Sequence, residues 1–172
     1  AISIPELMKR LERGEWLAPE FQRDFVWSNA NIISLINSVL DSKPIGMATL
    51  WEQEDKSDLP LEHISINDGV LEQGRSGPRY FGNNDDRPGR FYAILDGKQR
   101  STALAIAFGG LKAENRGFKF SGGYFLNIFT EDPLDRVVFK TSKEIEAQSL
   151  ETISSFVKNG LFPLAMPSPD SM

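Results

Sequence analysis

The 172 residues are 40% apolar and 10% aromatic, a length and composition suited to one ordinary domain around a single core. The absence of cysteine excludes disulfides, thiolate catalysis and cysteine-based metal sites, and the lone histidine, His63, excludes a multi-histidine zinc site. A formal net charge of −5 argues against a general nucleic-acid coat, which needs a basic face to displace phosphate counterions, but it leaves room for a local basic patch.

No apolar run approaches the ~20 residues that a membrane span requires. No basic-then-apolar signal segment stands at the start either. The expectation is an unexported, cytoplasmic protein without membrane contact.

The first element is a helix over "SIPELMKRLERG", with Ser3 as N-cap, Pro5 in the first turn and Glu6 completing a capping box. Ile4, Leu7, Met8 and Leu11 form its apolar stripe and Gly14 ends it. "EWLAPEFQRDFVWS" follows as an extended segment broken by Pro19. Ile32, Ile33, Leu35, Ile36, Val39 and Leu40 then mark a second buried helix, opened by Ser28 or Asn29 and stopped by Pro44. "IGMATLW" reads as a strand, and the acidic "EQEDKSDLPLE" as a solvated loop serving solubility.

"HISIND" predicts another strand. The stretch from Gly69 to Arg90 reads as a long loop or irregular insertion carrying Arg75, Arg79, Arg87 and Arg90, partly offset by Asp85 and Asp86. Phe91 to Leu95 is a buried strand, and Ser101 to Phe108 a helix ended by Gly109. A hairpin turning at Ser121 to Gly123 fits "RGFKFSGGYFLNIFT", and "RVVFKT" adds a strand. The last helix fits "SLETISSFVKNG", with Ser149 as cap, a stripe of Leu150, Ile153, Phe156 and Val157, and Gly160 as terminator.

The closing "LFPLAMPSPDSM" has the composition of a linker, so the expectation is a domain over 1–162 and the start of a linker or disordered tail over 163–172, as in a piece of a longer protein. Helices and strands come in mixed order without steady alternation, which favours an α+β fold. There is no Walker loop and no GxGxxG fingerprint.

Two polar constellations stand out. Asp96, Gly97, Lys98, Gln99 and Arg100 lie where the Phe91–Leu95 strand turns into a helix. Such a turn presents unpaired backbone N–H groups and the positive end of the helix dipole, a seat for phosphate, with Gly97 permitting close approach and Lys98 and Arg100 adding charge. The same residues also read as a turn that closes itself, with Asp96 as N-cap and Gln99 as its capping-box partner. Gln22, Arg23 and Asp24 sit among Phe21, Phe25 and Trp27, whose rings call for burial. They form either part of a site or a structural ion pair of Arg23 with a carboxylate.

"APEFQRDFVWS", "SVLDSKPIGMATLW" and "YAILDGKQRSTAL" together resemble the N-terminal domain of the GmrSD-type modification-dependent restriction proteins and related bacterial anti-phage defence proteins, whose second signature is usually written DGQQR. The likeness runs in order from Ile2 to Leu111, with Lys98 in place of the commoner glutamine. That family is similar to the ParB and sulfiredoxin fold, a small mixed sheet flanked by helices in which a GxxR turn holds nucleotide phosphates. The resemblance implies NTP binding and hydrolysis coupled to sensing of modified DNA, and cleavage by a separate HNH nuclease domain in the same longer chain or a partner chain.

On that reading Gln22, Arg23, Gly97, Lys98 and Arg100 bind a nucleoside triphosphate, with Asp96, Gln99 and Arg100 in catalysis. Asp96 holds Mg2+, a water or the turn. The alternatives are a module that binds DNA without turnover, through Arg75, Arg79, Arg87, Arg90 and Arg23, and an interaction domain whose motifs serve structure alone.

Overall fold

The computed structural model describes residues 2–54, 58–71, 75–82, 89–111, 114–115, 118–119 and 122–165, by backbone alone at 67–71, 75–79, 114–115 and 118–119. Helix α1 (Ile4–Glu12) begins at Ser3, whose Oγ accepts from the Glu6 N–H at 3.4 Å, while the Glu6 carboxylate turns to Arg10 Nε at 2.9 Å. The predicted cap therefore forms, but Glu6 serves an i,i+4 pair in place of a capping box.

Strand β1 (Trp16–Pro19) leads through residues 20–27 into α2 (Asn29–Leu40), and β2 (Thr49–Glu54) follows a strap over 42–48. Short β3 (Leu61–Glu62) precedes β4 (Ser65–Leu71) and β5 (Arg75–Tyr80), which pair antiparallel. Within the stretch expected to be an irregular loop, residues 69–71 and 75–80 thus belong to paired strands. Arginine, glycine and proline at 75–79 are residues that local propensity assigns to a loop.

β6 (Arg90–Asp96) enters α3 (Lys98–Gly109), closed by Gly110 at φ +72°, one residue after the predicted Gly109. Next come β7 (Glu114–Asn115), β8 (Phe118–Lys119), β9 (Gly122–Asn127), β10 (Val137–Thr141), α4 (Ser142–Ala147), α5 (Ile153–Lys158) and β11 (Leu161–Pro163). Among the described residues the hairpin expected at Ser121 to Gly123 is not seen, because β8 pairs with β7 while β9 pairs with β10 and β11. Ser121 itself lies outside the described residues. α4 was not anticipated, and it takes the capping box Thr141 to Glu144. The cap of α5 is Thr152, because Ser149 is spent in the turn after α4 at φ +52°.

The result is α+β: a mixed four-stranded sheet in the order β2, β6, β1, β3, and a three-stranded antiparallel sheet in the order β10, β9, β11. Among the described residues no helix is long and apolar enough to cross a membrane. At the C-terminal end, Pro163 closes β11 and the Leu164 N–H still donates to Tyr124 O at 3.0 Å.

α3 is the hub. Lys98 and Ser101 to Ala107 are buried, and α1 and α2 both pack against it. Small residues at Ala103, Ala105 and Ala107 let those helices approach, and Leu11, Ile32, Ile36 and Ile94 fill the space between at no measurable exposure. Burial of each such side chain contributes about 1.5–3 kcal/mol. A helix buried nearly all round shows no amphipathic stripe, and its position is fixed by the core.

Candidate functional site

Pairing direction decides where the site lies. β1 runs parallel to β6, with Trp16 opposite Tyr92 and Leu17 opposite Ala93, so the carboxyl ends of both strands emerge at one edge of the sheet. β2 runs antiparallel to β6, with Thr49 opposite Asp96, so the strap before β2 arrives at that same edge. Three segments far apart in sequence thereby meet: residues 20–27, the strap 42–48, and the turn 96–100.

Residues 20–27 and the turn enclose a cleft of about 360 Å³ lined by Gln22, Arg23, Trp27 and Leu95, and by Asp96 through Arg100, while the strap reaches the turn from its other side. Both polar constellations thus face one cavity. The turn does not close itself. Gly97 is the N-cap of α3 at φ +103°, ψ +3°, with no side-chain cap, and Asp96 is the last residue of β6 with a side chain 72% exposed. The left-handed conformation comes without steric cost only to glycine, and a Cβ there would lie 3.2 Å from Ala48 Cβ. The first N–H groups of α3 are therefore left for an acceptor outside the helix.

Two glutamines build the walls. Gln22 Nε2 donates to Ile94 O at 2.7 Å and Leu95 O at 3.2 Å, which ties the first loop to the end of β6. Gln99 Oε1 accepts from the Val26 N–H at 3.0 Å and its Nε2 donates to Asp24 O at 2.9 Å, which staples residues 24–26 to α3. Both amides are engaged with backbone, so each shapes the cleft.

The cations differ in their freedom. Lys98 is 6% exposed and its ammonium donates to Gln22 O at 3.2 Å. Burial pulls its pKa below the usual lysine range, partly offset by Glu62 and Asp24. Arg100 reaches across to Met47 O and to Asp96 Oδ2, the latter at 3.2 Å. Gly46, at φ +98°, lies directly against that guanidinium, where any Cβ would collide with it. Arg23 is exposed at the cleft mouth and makes no ion pair among the described residues. Phe21 is not drawn into the core as its ring suggested: it is 73% exposed, while Phe25 alone of the three rings is buried, at 4%, and Trp27 forms cleft wall.

Residues 4–161 match the GmrSD restriction endonuclease N-terminal domain. The chain belongs to that family. An uncharacterized protein of Methanocaldococcus jannaschii is 32% identical over 144 residues, covering 83% of this chain and 23% of the relative. The chain thus spans less than a quarter of the length of that relative.

In this GmrSD-family domain Arg90 is not part of the described cleft lining. Arg75 and Arg79 are on β5, in register with Leu71 and Ile66 of β4. Arg90 opens β6 and pairs with Glu52 at 2.8 Å, with both side chains at least half exposed. Arg87 lies outside the described residues. Among the described residues no group of three or more His, Asp or Glu side chains could hold a metal ion. Trp27 and the strap carbonyl of Met47 were missed as site elements. Gly46, two residues after the helix-stopping Pro44, was the available signal for a tight backbone approach there.

Proposed function

We propose that this chain is the nucleoside-triphosphate-binding and NTP-hydrolysing module of a cytoplasmic, DNA-modification-dependent restriction or defence protein. The observation that carries the reading is the open N-terminus of α3, capped by a left-handed glycine without a side-chain cap and surrounded within one cleft by Arg23, Lys98 and Arg100. A helix end of this kind, with three cations beside it, suits clustered phosphate charge. The strand, GxxR turn and helix also support a ParB/sulfiredoxin-like arrangement. Lys98, Arg100, Arg23 and the helix N–H groups contact phosphate, and Gln22 and Gln99 position them. Turnover rests on placement and charge neutralisation.

Mg2+ fits this site as a substrate-borne ion. It is commonly held by one or two carboxylates together with substrate phosphates, and Asp96 supplies one carboxylate at the cleft. The family name supports DNA and a nuclease domain, in the same longer chain or a partner chain, as the partners of the whole protein.

The test is calorimetric titration of the domain with each NTP and Mg2+, with phosphate release followed in parallel. Binding of at least one NTP is expected, with loss of about 100-fold in Arg100→Ala, the worth of a pair of charge-assisted hydrogen bonds. Unchanged affinity in Arg100→Ala refutes the phosphate role.

A further inference from the structure

Beside the polar cleft lies a second cavity of the same volume, about 360 Å³, with the opposite character. Ile4 and Leu7 of α1, Trp16 of β1, Ile45 of the strap and Leu104 of α3 wall it. Gly97 and Arg100 line both cavities, so the turn forms part of the wall of each. The Arg100 guanidinium stands at their border, held by Met47 O and Asp96 under the bare backbone of Gly46. Nothing in the phosphate chemistry above uses the apolar half.

On the reading that a nucleoside triphosphate places its phosphates in the polar cleft, we infer that the apolar cavity seats the base of the same nucleotide. A nucleotide is charged at one end and a flat heterocycle at the other, with hydrogen-bond acceptors on its edge. The paired cavities match that division across a single turn. Trp16 strengthens the match. Its ring lines the apolar cavity, and its indole N–H is buried without a hydrogen-bond partner, a donor that a base acceptor can satisfy. The N–H is sealed by its neighbours, so a base reaches it only through a small local rearrangement.

A mononucleotide suits the pair better than a base extruded from DNA. Arg23, Lys98 and Arg100 gather around one helix end, which matches the clustered charge of a triphosphate, whereas a strand spreads one charge over each nucleotide.

The experiment compares inorganic tripolyphosphate with the four NTPs, each with Mg2+, by calorimetry on the whole domain. Ile4→Trp and Ile45→Trp fill the cavity from two different elements, so the outcome does not hang on the folding of one variant. The parent should bind at least one NTP about tenfold or more tighter than tripolyphosphate, from burial of the heterocycle. Each filled variant should lose that advantage while keeping the parent's affinity for tripolyphosphate, which also certifies its fold. Equal affinity of the parent for NTPs and tripolyphosphate overturns the base seat and leaves the phosphate cleft standing. So does an NTP advantage that survives filling. If the parent binds neither probe, both readings fall. If filling abolishes binding of a short oligonucleotide but spares mononucleotides, the occupant is a DNA base and the inference is overturned.

Discussion

Two helices of 12 residues, α2 and α3, begin in opposite ways. At α2, Ser28 Oγ accepts from the Asn31 N–H at 3.3 Å and Asn31 Oδ1 accepts from the Ser28 N–H at 2.9 Å, so the helix satisfies its own end. At α3 the cap is a glycine without a side chain, and alone among the five described helices it has no side-chain cap. The first arrangement is a scaffold. The second leaves donors for something else, in the place where three segments converge and where a buried lysine and an arginine stand ready. An uncapped helix end surrounded by cations is a feature that stability by itself does not call for.

The contrast is broken most directly at its glycine. Gly97→Ala forces an L-residue into the left-handed region against Ala48, and should lower stability by about 1–3 kcal/mol. NTP affinity should fall with it, since the helix end shifts. Urea denaturation and calorimetry read the two effects, and a variant as stable as the parent would show that the turn tolerates a side chain.

Ser28→Ala is the matching change at the closed helix. It should cost about 1 kcal/mol of stability. NTP affinity should stay unchanged, and a fall in affinity would mean that the two helix ends are not separate in function.

Asp96→Ala sharpens the same point. Because Gly97 is the cap and the Asp96 side chain is largely exposed, stability should change by no more than about 0.5 kcal/mol. A loss of about 1 kcal/mol in thermal or urea unfolding would restore the self-closing turn.

Lys98 gives the smallest effect, visible in protons. Burial lowers its pKa from 10.5, so between the lowered value and 10.5 the unfolded chain holds a proton that the folded chain lacks. Unfolding takes up a proton there, and stability rises with pH across that window. Phosphate beside the ammonium favours the charged form, so nucleotide binding should also take up a proton in that window. Calorimetry in two buffers of different ionisation heat measures the uptake. A heat independent of buffer throughout would remove Lys98 from contact with phosphate.

Much of the fold could be read from local chemistry. Ser3, Ser28 and the periodic apolar residues of α1 and α2 announced those helices, and Phe91 to Leu95 announced the central strand. The misses have physical causes. β5 carries Arg75, Gly77, Pro78 and Arg79, a composition that local propensity assigns to a loop. Among the described residues β9 pairs with β10 and β11 and not with β8, a choice made by pairing across the chain. α4 escaped notice because six residues with no buried side chain show no stripe.

What the sequence determined by itself about the site was its chemistry: which turn holds a glycine followed by Lys98 and Arg100, and which loop holds Gln22 and Arg23. These follow from residue type and order alone. Their meeting was decided by the tertiary structure, through the parallel register of β1 with β6 and the antiparallel register of β2, which bring residues 20–27, 42–48 and 96–100 to one sheet edge. So was the division of labour within the site. Whether a glutamine faces a ligand or staples a wall depends on which carbonyls and N–H groups lie within about 3 Å of its amide, and those belong to segments over 70 residues away.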